Sequence, residues 1–213
     1  MKRLVFIVEG DTEIILVQKI IVPYLISKGF KNPMHAQTII TNRKQHKKGG
    51  VTEYGKFKNE ITRTFAQGNV IITTLIDFFR LPTDFPGFTT DSKKIDQIEN
   101  AIYTDLGNNE DFIPYIQKHE LEALMFSERS GFELVIDEEK KLKLIDQILL
   151  DYPNPEDING HPEKSPSKRL LKIFDYEKTS DGELIFEMLD IKNIIDKCPR
   201  FSSWLLKIEE KLN

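Results

Sequence analysis

Residues Val70 to Ile76 form a nearly unbroken apolar and β-branched run that stops at a carboxylate, Asp77. Such a run has no polar face to offer solvent, so it suits the centre of a parallel sheet covered on both sides. The pattern also occurs near the start of the chain, where the apolar run Leu4 to Val8 stops at Glu9-Gly10. Parallel strands put their carboxyl ends on one edge, so Glu9 and Asp77 are expected to be neighbours. That edge is where open α/β sheets carry their ligands. A carboxylate closing a buried strand is costly to desolvate unless a cation or donors meet it, which favours a functional role for Glu9.

The segments between and after these runs place further candidates. Gly10 permits a tight turn, Asp11 or Thr12 can cap the helix that follows, and Glu13 falls in its first turn, on the side of Glu9. The helix dipole alone would also account for acids there. That helix is expected over Thr12 to Lys28, bent or shortened by Pro23. A second strand is expected over Ala36 to Thr41, helices over Thr52 to Gln67 and Ser92 to Leu106, and a strand over Phe112 to Gln117. The stiff, turn-rich loop Phe78 to Thr90 could form one wall of a cleft. His119-Glu120-Leu121-Glu122 then leads into a helix. If the strand continues, Glu120 and Glu122 share a face; if a helix has begun they diverge by roughly 200 degrees, and Glu120 is the one expected at the site. A lone His119 makes no zinc site, whereas Mg²⁺ or Mn²⁺ suits carboxylates.

With 213 residues the chain can bury one sizeable core. The expected division is an α/β core over 1–130 and a helical C-terminal region over 131–213 packed on it. The net charge of -4 argues against coating nucleic acid by electrostatics alone, but leaves room for an acidic metal site with local basic contacts. Two such contacts stand out. Arg43, Lys44, Lys47 and Lys48 crowd one loop, fitting either a phosphate backbone or plain solvation. Lys168 and Arg169 sit in the first turn of a helix opened by Ser165-Pro166, where cations oppose the dipole unless a phosphate or acids offset them. The single cysteine, Cys198, excludes an internal disulfide and suits the cytoplasm. Glu9 ends the first apolar run too early for a signal peptide, and no stretch reaches transmembrane length, so no membrane partner is expected. A Gly-x-x-x-x-Gly-Lys-Ser/Thr phosphate loop is missing from the sequence.

Four motifs in order carry a resemblance: Val8-Glu9-Gly10 with Thr12-Glu13; Thr74-Leu75-Ile76-Asp77-Phe78-Phe79 with Leu81-Pro82; Pro114-Tyr115 with His119-Glu120-Leu121-Glu122-Ala123-Leu124; and Pro166-Ser167-Lys168-Arg169-Leu170. Together they resemble the bacterial domain of unknown function 4276, a family regarded as Toprim-like. The resemblance implies a Toprim-like (Rossmann-like) α/β fold, with a mostly parallel sheet of about four strands flanked by helices and a C-terminal helical extension.

The wider Toprim group includes topoisomerases, primases and nucleases of the overcoming-lysogenization-defect type. Its members hold magnesium with a strand-end Glu and a later Asp-x-Asp. Glu9 matches the first and Asp77 the leading Asp; Phe79 stands at the second acid, which Asp84, or Glu120 and Glu122, would replace. In the nuclease branch a Glu four residues after the first and a late Lys contribute, and Glu13 and Lys168 fit. The implied activity is a Mg²⁺- or Mn²⁺-dependent nuclease on DNA or RNA. Glu9, Glu13, Asp77, Glu120 and Glu122 would hold metal, Lys168 would assist, and Arg43, Lys44, Lys47, Lys48, Lys168 and Arg169 would grip the backbone. Such nucleases often act beside a separate ATPase in phage-defence loci. The alternative is a non-catalytic nucleic-acid-binding or regulatory subunit of an ATPase complex, and self-association is compatible with both.

Overall fold

A computed structural model describes residues 1–42, 47–48, 50–158, 161 and 163–213, with the side chains of 40–42 and 47–48 outside the described set. Strand β1 (Arg3–Val8) leads into α1 (Asp11–Leu16), which continues through a π-wound turn (Val17–Ile21) into α2 (Val22–Ser27). Pro23 sits in the first turn of α2, directly after the π turn, so the missing proline N–H falls where the winding has already changed. The chain then forms β2 (Met34–Thr38), a small antiparallel pair β3 (Ile40–Asn42) and β4 (Lys47–Lys48), α3 (Tyr54–Phe65) and β5 (Val70–Asp77).

Helix α4 (Ile95–Asp105) precedes two short strands, β6 (Phe112–Ile113) and β7 (Ile116–Gln117). The single strand expected over 112–117 is divided at Pro114-Tyr115. There the Thr74 hydroxyl stands in for the ladder, accepting from Tyr115 N–H at 2.8 Å and donating to Tyr115 C=O at 2.9 Å. The remainder is helical: a 3₁₀ segment (Leu121–Ser127), α5 (Glu139–Asp151), α6 (Pro166–Ile173), α7 (Ser180–Met188), α8 (Ile191–Lys197) and α9 (Pro199–Leu212).

The main sheet runs β2-β1-β5-β6, with β7 pairing β5 beyond the end of β6, and every pairing in it is parallel. From β1 the chain moves outward to β2, then returns to the opposite side of β1 to lay down β5. The order therefore reverses between β1 and β5, and their carboxyl ends flank the switch point at which doubly wound sheets open a crevice. Leu4, Phe6 and Val8 pack to one face with α1 and the C-terminal helices, while Val5 and Ile7 pack to the other with Phe57 and Ile61 of α3 and Ile95, Ile98 and Ile102 of α4. The result is a three-layer α/β/α arrangement. Among the described residues no helix is long and apolar enough to cross a membrane.

The C-terminal helices share the core of the sheet. Trp204 of α9 is buried against it, stacking on Tyr115 at 4.4 Å between centroids, meeting the Phe6 edge at 6.1 Å and donating its indole N–H to the Thr73 hydroxyl at 2.7 Å. Trp204→Ala is expected to lower the unfolding free energy by about 3–5 kcal/mol in urea denaturation. A loss below about 1 kcal/mol, ordinary for a surface change, would place α9 outside the core.

Candidate functional site at the sheet edge

Glu9 follows β1 directly and reaches across to its neighbour: its Oε2 accepts the backbone N–H of Asp77 at 3.1 Å, and its carboxylate is further met by the N–H of Val51. The strand ends are thus joined by a side chain, and Gly50 N–H adds a bond to Glu9 C=O at 2.9 Å. Gly10 is extended (φ -154°), a conformation open to any residue, and is itself the N-cap in place of Asp11 or Thr12. What favours glycine there is proximity, because a Cβ would lie 3.2 Å from Oε2 of Glu13 and crowd its carboxylate. Glu13 is 2% exposed, with its carboxylate turned back onto the N–H groups of Gly10 and Glu13 at the helix start.

Two more groups complete the cluster. Glu122, in the first turn of the 3₁₀ segment, is 1% exposed, and neither of its oxygens has a well-formed hydrogen bond; the Oδ1 of Asp77 is likewise buried without a partner. Lys178, just before α7, brings its ammonium to 3.1 Å from Oε1 of Glu122 while 48% of its side chain stays exposed. Gly182 lets α7 approach closely enough for this, since a Cβ there would lie 3.3 Å from Tyr176 Oη and 3.7 Å from Thr12 Cγ2. A cavity of about 270 Å³ opens between Glu9, Gly10, Glu13, Gly50, Lys178 and Thr179.

The electrostatics follow from crowding. Burial pushes up the carboxyl pKa values of Glu9, Glu13, Asp77 and Glu122, and their mutual repulsion adds to it, most strongly for Asp77 beside Glu13 and Glu9. Burial works against the Lys178 charge, but Glu122, Asp77 and Glu13 more than offset it and hold its pKa above the ordinary lysine value. Among the described residues, four acids therefore share one cation. Among the described residues no three His, Cys, Asp or Glu side chains are already arranged to hold a metal. Lys178 instead pairs with Glu122 and lies within electrostatic reach of Asp77 and Glu13. The chemistry of the acids nonetheless fits a hard divalent cation: all donors are carboxylate oxygens, and two of those oxygens, Oδ1 of Asp77 and Oε2 of Glu122, are buried without a partner.

Of the residues singled out from sequence, Glu9, Glu13, Asp77 and Glu122 come together. Glu120 does not join them through its oxygens; it caps α6, accepting Ser167 N–H at 2.9 Å and the Ser167 hydroxyl at 3.0 Å. Because the segment turns into a 3₁₀ helix at Leu121, the two glutamates diverge, and it is Glu122 that enters the site. Lys168 is exposed on α6, and the cation among the acids is Lys178. Nothing local in the sequence marks Lys178, a lysine in a polar loop. Arg169 is committed to Tyr152, with its guanidinium 4.8 Å from the ring centroid and Nη2 donating to the hydroxyl at 2.8 Å. Asp84 accepts the N–H of Tyr54 at 2.8 Å at the start of α3. Burial, then Lys118, lowers the His119 pKa to about 4, so its ring is neutral at pH 7. Arg43 and Lys44 lie outside the described residues, as do the side chains of Lys47 and Lys48.

The family model described as domain of unknown function DUF4276 matches residues 8–209. The chain belongs to this family. No curated protein and no solved structure matches it. The four motifs of this DUF4276 chain thus fall at the sheet edge and on the α6 cap that supports it.

Because folding raises these carboxyl pKa values, the folded state holds more protons than the unfolded chain above about pH 4. In a chelator, the protein is expected to lose stability as pH rises from there through the raised values, Lys178 staying charged throughout. Asp77→Asn should raise the melting temperature at pH 7.5 and flatten the profile, and Lys178→Met should lower it. Differential scanning fluorimetry across pH reads both, and a melting temperature lowered by Asp77→Asn would contradict the crowded-charge account.

Proposed function

We propose that this chain is a metal-dependent phosphodiester hydrolase, a Toprim-type nuclease acting on DNA or RNA. The observation that carries the reading is the surplus of carboxylate charge at the switch point, four acids to one lysine among the described residues, with Oδ1 of Asp77 and Oε2 of Glu122 buried without donors. A structural acid cluster would be expected to acquire partners, because unpaired buried charge is among the costliest features a fold can retain. A divalent cation supplies the missing compensation.

Glu9, Glu13, Asp77 and Glu122 are the residues that would hold Mg²⁺ or Mn²⁺. When bound, the ion would supply Lewis-acid stabilisation of phosphoryl charge and ease the deprotonation of an attacking water. The chain's own contributions are separate. Asp77 and Val51 N–H groups fix the Glu9 carboxylate so that it need not reorganise. Lys178, the ammonium beside the acids, would stabilise the phosphate oxygens on which charge develops. The half-exposed side chain gives it room to do so. The role first assigned to Lys168 is thereby moved to Lys178, and Glu120 acts through α6. The absence of an ATP-binding motif leaves any ATPase a separate partner, as in a phage-defence locus, and the lone buried Cys198 suits a reducing cytoplasm.

One observation favours a second reading. Lys178 pairs with Glu122 among the acids and no ligand triad is already formed among the described residues, as a non-catalytic nucleic-acid-binding or regulatory subunit would have it. Isothermal titration with Mn²⁺ separates the two, since a charge-neutral structural cluster gives no heat of binding.

Incubation of plasmid, single-stranded DNA and tRNA with the protein and Mn²⁺ is expected to give cleavage that chelator abolishes. Glu9→Gln and Asp77→Asn should remove it, and Lys178→Ala should slow it by about 10²–10³-fold, the usual cost of one charge-stabilising donor. Undiminished cleavage by Glu9→Gln would refute the assignment.

A further inference from the structure

A second cavity, of about 420 Å³, begins where the acid cluster stops. Phe78 and Phe79, the two residues after Asp77, line it together with Arg80, Phe88 and His119. Its size falls within the roughly 300–1,000 Å³ typical of ligand sites. The two segments that follow β5 and β7 are tied across it, with Phe78 N–H donating to Gln117 C=O and Phe79 N–H to His119 C=O, each at 2.9 Å. The phenylalanines are only partly buried, so ring faces remain to be covered.

The backbone adds an independent observation. Among the described residues, four that are not glycine have positive φ: Asn69, Arg80, Asn108 and His119. Asparagine tolerates this region, whereas arginine at φ 65° has no such reason and holds strain. Arg80 and His119 both line this cavity. The strained turn lays the Arg80 guanidinium over the Phe79 ring, 5.2 Å from its centroid. A guanidinium plane and several aromatic faces, partly open, form a stacking platform of the kind that takes a flat π-system regardless of its substituents.

Resting on the reading of the acids as a phosphodiester-cleaving centre, we propose that this cavity holds an unpaired nucleobase of the substrate strand. The substrate class is then single-stranded nucleic acid. The cavity wall starts one residue from Asp77, about 4 Å of backbone, so a base stacked on Phe79 keeps its strand beside the acids. Bases inside a duplex have both faces occupied and cannot enter without being unstacked.

Fluorescence anisotropy of labelled 12-nucleotide single strands, DNA and RNA, in Ca²⁺ with the full chain tests this. Phe79→Ala is expected to weaken single-strand binding on the order of tenfold, leaving duplex binding unchanged. Phe79→Trp should retain affinity, which controls for folding, and a strand with abasic sites should bind wild type and Phe79→Ala alike. Equal losses for abasic and intact strands, or no loss with Phe79→Ala, would overturn the base site. Single-strand binding sensitive to Phe79 without any Mn²⁺-dependent cleavage would refute the hydrolase reading and keep the site. Glu9-dependent cleavage that prefers duplex and ignores Phe79 would do the reverse.

Discussion

Like charge brought out of water at the carboxyl ends of β1 and β5 is the constraint around which the molecule is arranged. Four carboxylates share a confined space, and each raises the cost of ionising the others. Their arrival there follows from topology. The return of the chain across β1 to form β5 puts Glu9 and Asp77 side by side, the first helical turn adds Glu13, and the segment after β7 adds Glu122. Among the described residues Lys178 is the one local countercharge, supplied from a different layer of the fold, and it leaves the cluster undercompensated.

Much of the surrounding structure serves to hold this cluster in place. The Glu9 carboxylate bonds the amide that ends β5, so a member of the acid cluster also fastens two strands together. Glu120, though absent from the cluster, fastens α6 to the 3₁₀ segment that carries Glu122. Gly10 and Gly182 suit close approach, since a side chain would crowd the Glu13 carboxylate at the first and the Tyr176 hydroxyl at the second. Beneath them the sheet is covered on both faces, and Trp204 ties the last helix to Thr73 in the central strand. The rim is therefore set by packing on both faces of the sheet.

The sequence made the strand-end acids legible because apolar runs that stop at a carboxylate are a local pattern, and parallel topology then brings them together without knowledge of side-chain contacts. The α/β class and the membership in DUF4276 were accessible for similar reasons. The choice between Glu120 and Glu122 was not, since it turns on where a 3₁₀ helix begins, at a boundary where Glu120 is bonded by Ser167 from a remote helix. Lys178 was hidden for a related reason: a loop lysine gains meaning only from the acids it meets. The split of the edge strand at Pro114-Tyr115 depended on the Thr74 hydroxyl replacing ladder bonds. Phe79 faces a cavity beside Arg80, a placement the spacing alone does not reveal.

Whether the undercompensated cluster is a cation site is decided most directly by crystals soaked in Mn²⁺ and measured at the manganese absorption edge. The account predicts an anomalous peak bounded by Glu9, Glu13, Asp77 and Glu122, with the Lys178 ammonium moved away from Glu122. Soaked crystals with no peak at that edge, and Lys178 still against Glu122, would contradict it.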